Sequence, residues 1–248
     1  MREIIIQNNK IEQDSGVYFG RGVFETILIK EKIEFWDFHL KRLNEGLKKI
    51  GLEEVQENLK EIVEELNLKN IVLKIIVTEK NVIIKSRKIP YKKEDYEKGF
   101  KLTRSKVLRN STSVLNKIKS LNYLENILER EKAIGEGFND CLFINEKGNI
   151  CETSTANIFF VKKNEIYTPD IKEGLLNGCL REFIIKNFDV KIKNFKWKDL
   201  KEIDEIFITN SIIGIMKINS IDNYMFTKEN IGSLIRKEYL EIDIVEKE

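Results

Sequence analysis

The order of strand-like and helix-like stretches constrains this chain most. Apolar residues alternate along 22–30 (GVFETILIK), the period of a half-buried strand. Just downstream, Leu40, Leu43, Leu47 and Ile50 recur at helical spacing. A second amphipathic helix is predicted over 55–66, with Leu59, Ile62, Val63 and Leu66 on one face, and strands over 71–78 and 81–85. The second half repeats the mixture. A helical face of Leu121, Leu124, Ile127 and Leu128 runs on to Gly135. Short apolar runs follow at 141–144, 157–161 and 166–167, then a helix over 178–187. Strands at 205–209 and 212–218 and a helix near 230–240 complete the pattern. Strands do not alternate strictly with helices, so a doubly wound sheet does not fit and an α+β class does.

Local chemistry sharpens this outline. A turn at Glu31-Lys32 is expected to return the first long strand through 33–36 as a hairpin. Asp37 then suits an N-cap, and Gly51 a helix end. The stretch 103–115 (TRSKVLRNSTSVL) is short of large apolar side chains and rich in Ser, Thr and Arg. It reads as the join between two α+β domains, 1–105 and 113–248, with 106–112 as the linker.

Composition removes several functions. The chain has 248 residues, 42% hydrophobic and 34% charged, which suits a folded protein with a sizeable core. Its net charge of +2 exerts no long-range pull on nucleic acid or an anionic membrane. No apolar run approaches the ~18 residues of a membrane helix. The segment 1–7 lacks the apolar core of a secretory signal. Cys141, Cys151 and Cys179 match no zinc spacing and are expected to be reduced, hence a cytoplasmic location. His39 is the only histidine, which excludes HExxH metal chemistry. It is expected to pack or cap beside the helix start. Gly20-Arg21-Gly22 begins a dinucleotide fingerprint that fails at Glu25, and no phosphate-binding GxxxxGK[ST] loop occurs.

A constellation of short motifs carries more. In order, these are Tyr18-Phe19-Gly20-Arg21-Gly22-Val23-Phe24-Glu25-Thr26, His39-Leu40-Lys41-Arg42-Leu43, and Lys119-Ser120-Leu121-Asn122-Tyr123. Then come Gly148 to Ser154, Leu176 to Arg181, and Thr209-Asn210-Ser211-Ile212 with Gly214-Ile215. Together they resemble the fold-type IV pyridoxal-phosphate (PLP) enzymes. That family contains branched-chain aminotransferases, D-amino-acid aminotransferases and aminodeoxychorismate lyases. The resemblance covers nearly the whole chain in the family's order. It implies two α/β domains with the cofactor between them, and a homodimer to which Phe19, Phe24 and Trp36 could supply apolar area.

The resemblance also assigns roles. Lys119 is the amine expected to form an imine with the cofactor aldehyde, preferred over Lys117 because its register places Tyr123 at the cofactor's phenolic oxygen. Glu152, in Gly-x-x-x-Glu, is expected to face the pyridine nitrogen and keep it protonated. Phosphate donors are expected from Arg42, from the helix start at Cys179 and Leu180, and from Ser211 and the Ile212 backbone. Relatives often carry Thr where Leu180 sits, so one hydroxyl contact is missing. The segment often reading Arg-Gly in relatives is Thr78-Glu79-Lys80-Asn81 here. That removes the usual carboxylate anchor, for which Lys74, Lys80, Lys85 or Arg87 are substitutes, and leaves a non-catalytic scaffold open. The short chain and 209–215 favour a lyase making 4-aminobenzoate and pyruvate from 4-amino-4-deoxychorismate, for folate biosynthesis. The alternative is an aminotransferase of branched-chain or D-amino acids with a 2-oxo acid acceptor.

Overall fold

The computed structural model describes residues 2–7, 10–55 and 58–245, which gather into two units. The first unit takes the chain up to Pro90 and then Lys117–Tyr123. Its elements are β1 (Glu3–Ile6), α1 (Ser15–Phe19), β2 (Val23–Ile29), α2 (Trp36–Lys49), α3 (Leu59–Glu65), β3 (Ile71–Val77) and β4 (Asn81–Arg87). The strands form one sheet in the order β1-β4-β3-β2, with only β1 parallel to its neighbour.

Register sorts the side chains of this sheet onto two faces. Val23, Ile27, Leu73, Ile75 and Ile84 share a core with Leu43, Leu47, Leu59 and Val63 of the helices. Fully burying each such side chain contributes about 1.5–3 kcal/mol. Phe24, Thr26, Lys74, Ile76, Lys85 and Arg87 take the alternate positions, on the opposite face. The segment 117–123 returns to this unit and bridges Val23 through Ser120.

Several expectations change here. No return strand forms over 33–36, where a single bridge joins Ile29 to Ile33. Phe35 adopts a left-handed φ of 52° and turns the chain straight into α2. Asp37 therefore lies in the first helical turn rather than at the cap. The helix predicted over 55–66 begins at Leu59, and positions 56 and 57 lie outside the described residues. Phe24 and Trp36 are buried inside the chain at 6% and 7% exposure, so they supply no interface area, whereas Phe19 is 77% exposed.

The second unit holds α4 (Lys93–Lys98), β5 (Phe100–Arg109), α5 (Leu124–Gly135), β6 (Asp140–Asn145), β7 (Ile150–Thr153), β8 (Asn157–Lys162) and β9 (Glu165–Thr168). It continues with α6 (Cys179–Asn187), β10 (Val190–Ile192), β11 (Glu205–Asn210), β12 (Gly214–Ile221), β13 (Tyr224–Met225) and α7 (Ile231–Val245). The expected linker is overturned over 106–109. These residues belong to β5, which pairs with β12 on one side and β6 on the other. Ser105 and Arg109, which suggested a loop, are buried polar residues of that strand.

The sheet runs β10-β9-β8-β11-β12-β5-β6-β7, and β7 also pairs with β8 through Glu152 and Asn157. That pairing closes β8, β11, β12, β5, β6 and β7 into a ring. Leu142, Ile144, Ile158, Phe160, Ile206, Ile208 and Met216 belong to the core of these strands. Glu205 fastens α7 by accepting the N–H groups of Asn230, Ile231 and Gly232 at 3.0, 3.0 and 2.6 Å. The stripe predicted on α5 starts at Leu124 and stays uncovered by its own chain. Leu124, Ile127, Leu128 and Ile134 are 65%, 46%, 53% and 51% exposed. Among the described residues, no helix is long and apolar enough to cross a membrane.

Candidate active site

In the first unit, the backbone carbonyl of Lys119 accepts the N–H of Phe24 at 2.8 Å, while Gly22 O accepts the N–H of Leu121 at 3.0 Å. These bonds lay the segment along the start of β2. Ile118 points into the interior, Lys117 is exposed, and Lys119 is half-buried. The Lys119 Nζ lies 4.5 Å from the Phe24 ring centroid and 5.4 Å from that of Tyr123. The two rings meet edge to face, with centroids 5.3 Å apart. Aromatic faces thus hold this amine, with Tyr123 beside it. Asn122 Nδ2 donates to Gly20 O at 2.9 Å. A Cβ at Gly20, where φ is +66°, would come within 2.8 Å of Asn122 Oδ1, so glycine is required there.

Arg42 sits on α2 and reaches Glu25 through two donors, Nε at 2.7 Å and Nη2 at 2.6 Å. His39 Nδ1 lies 2.7 Å from the same carboxylate. His39 therefore packs beside the helix start, as expected, and does so within a buried polar network. Burial works against the charge on Glu25, but Arg42 and His39 outweigh it by charge and hydrogen bonding. Together they hold this carboxyl at about 2. Glu25 was not legible as a network residue, because both its partners lie one helix away in sequence.

The segment 78–81 is organised by Asp14. Its carboxylate accepts the Thr78 hydroxyl at 2.6 Å, the Lys80 N–H at 2.8 Å and Asn81 Nδ2 at 3.1 Å. It also caps α1 through the N–H groups of Gly16 and Val17. Burial pushes Asp14 up, and these donors more than reverse that. Lys80 is exposed and pairs with Glu12 at 3.4 Å. Lys74 instead lies 4.5 Å from the Phe24 centroid, on the same ring as Lys119.

In the second unit, Glu152 is buried at 8% exposure. Its Oε2 accepts Asn157 Nδ2 at 3.3 Å and the Leu176 N–H at 3.2 Å. Its Oε1 lies 3.6 Å from Arg109 Nη2. Arg109 in turn stacks 3.8 Å over the Phe143 ring and donates to Asn126 Oδ1 at 3.0 Å. Asn126 donates to Ser154 O at 2.6 Å. These supports fix where the carboxylate points. Arg109, Asn126 and Asn157 went unnoticed in the sequence, since each finds its partner only after the ring of strands closes.

Cys179 and Leu180 open α6, and both are buried. A Cβ on Gly178, which caps this helix, would fall 2.1 Å from Asn157 Oδ1. The helix start and the Glu152 support are therefore packed against each other. Arg181 donates to Asn177 Oδ1 at 2.7 Å and to Pro169 O at 2.8 Å, and its burial brings it down to about 10. Ser211 and Ile212 occupy the turn after β11. The Ile212 N–H, expected as a phosphate donor, is already bonded to Asn210 Oδ1 at 2.8 Å. Asn210 takes the amides of Ile212 and Ile213 together and ties the turn to Thr155 O. Thr209, quoted in its motif without a role, is 1% exposed, and its hydroxyl oxygen has no hydrogen-bond partner among the described residues. It lies opposite Asn157 in the ladder, on the strand that α6 packs against. A buried hydroxyl left in this state suits an oxygen-rich group held at the α6 N-terminus.

Comparison with known proteins gives this arrangement a family. The family model for amino-transferase class IV matches residues 22–221. The chain is 27% identical to a Methanocaldococcus jannaschii protein provisionally named a branched-chain-amino-acid aminotransferase, over 90% of this chain and 86% of that one. It is 25% identical to the aminodeoxychorismate lyase of Bacillus subtilis, over 88% and 83%. Among solved structures, a Legionella pneumophila protein provisionally named 4-amino-4-deoxychorismate lyase superposes with a TM-score of 0.86 at 26% identity. That match covers 97% of this chain and 99% of that one. The two units are those of the fold-type IV PLP enzymes, and the chain belongs to the class IV aminotransferase family of PLP-dependent enzymes.

Proposed function

We propose that this enzyme is a lyase that converts 4-amino-4-deoxychorismate to 4-aminobenzoate and pyruvate. The observation that carries this reading is the segment Thr209-Asn210-Ser211 followed by Gly214-Ile215, which resembles that of the lyases. The near end-to-end likeness to the Legionella protein supports the same choice.

The residues of each unit taken by itself suit PLP: an aromatic-held amine in the first, and a braced carboxylate and the buried Thr209 hydroxyl in the second. Bound there, the cofactor supplies an electron sink for the bond that breaks. In this proposal Lys119 attaches it and then moves the proton at the substrate ring carbon beside the amino group. Glu152 holds the ring nitrogen and Tyr123 the phenolic oxygen. Arg42, Cys179, Leu180 and Ser211 hold the phosphate, with Thr209 offering the hydroxyl that Leu180 lacks. The released 4-aminobenzoate would serve folate biosynthesis in the cytoplasm. The exposed apolar side of α5 supports a homodimer.

An assay pair tests this. Loaded with PLP, the protein should release pyruvate and 4-aminobenzoate from aminodeoxychorismate, and Lys119→Ala should abolish both. Absence of pyruvate together with turnover of a branched-chain or D-amino acid and 2-oxoglutarate would establish the aminotransferase reading instead.

A further inference from the structure

The turn after β11 is the tip of a hairpin, yet it is buried. Asn210 pairs with Gly214, which leaves 211–213 between the strands, and Ser211, Ile212 and Ile213 are all buried. Hairpin tips ordinarily face water and move. This one is held from three directions within the second unit. Asn210 gathers the Ile212 and Ile213 amides from inside the turn. From α4, the Tyr96 hydroxyl donates to Ile213 O at 2.9 Å. From α7, Tyr239 closes over Gly214, where an added Cβ would lie 3.7 Å from its Cε1. The Tyr239 ring also meets Phe183 of α6 edge to face, with centroids 6.0 Å apart, so α7 rests on the turn and on α6 together. Arg236, three residues before Tyr239, lies 4.1 Å over the Tyr96 ring and ties α4 to α7. Burial pushes the Tyr96 hydroxyl up from its ordinary value, so it keeps its proton and stays a donor at neutral pH.

We infer that Tyr96 is a positioning residue for the cofactor phosphate: its hydroxyl, on a ring seated by Arg236, holds the 211–213 turn in the shape that receives the phosphate. The inference rests on the reading that Ser211 belongs to the phosphate site. Tyr96 acts through the turn, since its hydroxyl is spent on Ile213 O. A turn fixed before the cofactor arrives loses little freedom on binding. A loosened turn has to be ordered at that moment, and affinity falls. The loss falls on the phosphate end of the cofactor, because the bond that Tyr96 makes goes to this turn.

The test compares PLP with pyridoxal, which has the same ring and aldehyde but no phosphate. Each is titrated into the full chain after removal of cofactor, and followed by the absorbance of the lysine-linked form. Tyr96→Phe keeps the ring and removes the hydroxyl. It should weaken PLP about fivefold or more, the worth of one hydrogen bond, and change pyridoxal by less than about twofold. Arg236→Gln unseats the same ring from outside the turn. It should repeat the selective loss, and it is judged by the same signs if the Phe variant fails to fold. Unchanged PLP affinity would overturn the inference. So would equal losses for PLP and pyridoxal, which mark general damage to the unit. Ser211→Ala separates the underlying reading. If it weakens PLP while Tyr96→Phe does not, the positioning role alone falls. If neither variant weakens PLP, the turn is not the phosphate site and both readings fall.

Discussion

At the scale of single residues, the Glu25 cluster makes the sharpest demand on the fold. A carboxylate at 1% exposure survives only because Arg42 and His39 meet it at 2.6–2.7 Å. Removing one partner from such a cluster leaves uncompensated buried charge, which costs about 3–5 kcal/mol. Glu25→Gln should therefore lower the melting temperature markedly at neutral pH. The pH dependence has a definite sign. The folded value lies below the ordinary one, at about 2 against 4.5, so the contribution is complete above the ordinary value. It is lost as pH falls from there toward 2. Thermal melts of the unmodified protein should fall steeply across that acid window, and those of Glu25→Gln should be flatter there. Parallel curves would show that the cluster does not couple protonation to folding. The same cluster bears on the cofactor, since Glu25 fixes the guanidinium that is proposed to reach the phosphate.

At the scale of elements, much of the fold was legible because periodicity reports local burial. β2, β3, β4, α2 and α6 fall within two residues of where their patterns place them. The failures have physical causes. β5 looked like a linker because Ser105 and Arg109 are polar, yet both are buried among partners distant in sequence. The hairpin after β2 failed because Phe35 accepts a left-handed backbone, and β2 finds β3 as its partner instead. The candidate site divides the same way. The proximity of Lys119 and Tyr123 was readable because they lie four positions apart in one motif. The bracing of Glu152 by Arg109, Asn157 and Leu176 was invisible, since it exists only after β7 meets β8. That closure yields a prediction for α6. Gly178→Ala forces a Cβ to within 2.1 Å of Asn157 Oδ1, so Asn157 must leave its place between Glu152 and Leu176 O. The variant should keep its overall fold by circular dichroism yet bind PLP at least about tenfold more weakly, the loss of one or two hydrogen bonds. Unchanged cofactor affinity would separate the α6 start from the site.

At the scale of the whole molecule, the uncovered side of α5 is the surface on which the proposed homodimer would close. Leu124, Ile127, Leu128 and Ile134 follow helical spacing and are about half exposed or more, although α5 has a sheet beneath it. Leu108 on β5 and Val114 and Leu115 in the following turn add exposed apolar surface in the same unit. Monomeric proteins rarely present contiguous apolar patches beyond a few hundred Å². A two-fold copy would meet this stripe with the same stripe, as isologous dimers do. Ile127→Glu with Leu128→Glu places two like charges where the copies would meet. At neutral pH these cost several kcal/mol across an interface, enough to lower dimer affinity by about a hundredfold or more. Light scattering coupled to size exclusion should report a dimer for the unmodified chain and a monomer for the double variant. The variant's secondary structure should be unaltered, because neither position lies in the chain's own core. A monomer in both cases would mean that this stripe is covered by something other than a second copy.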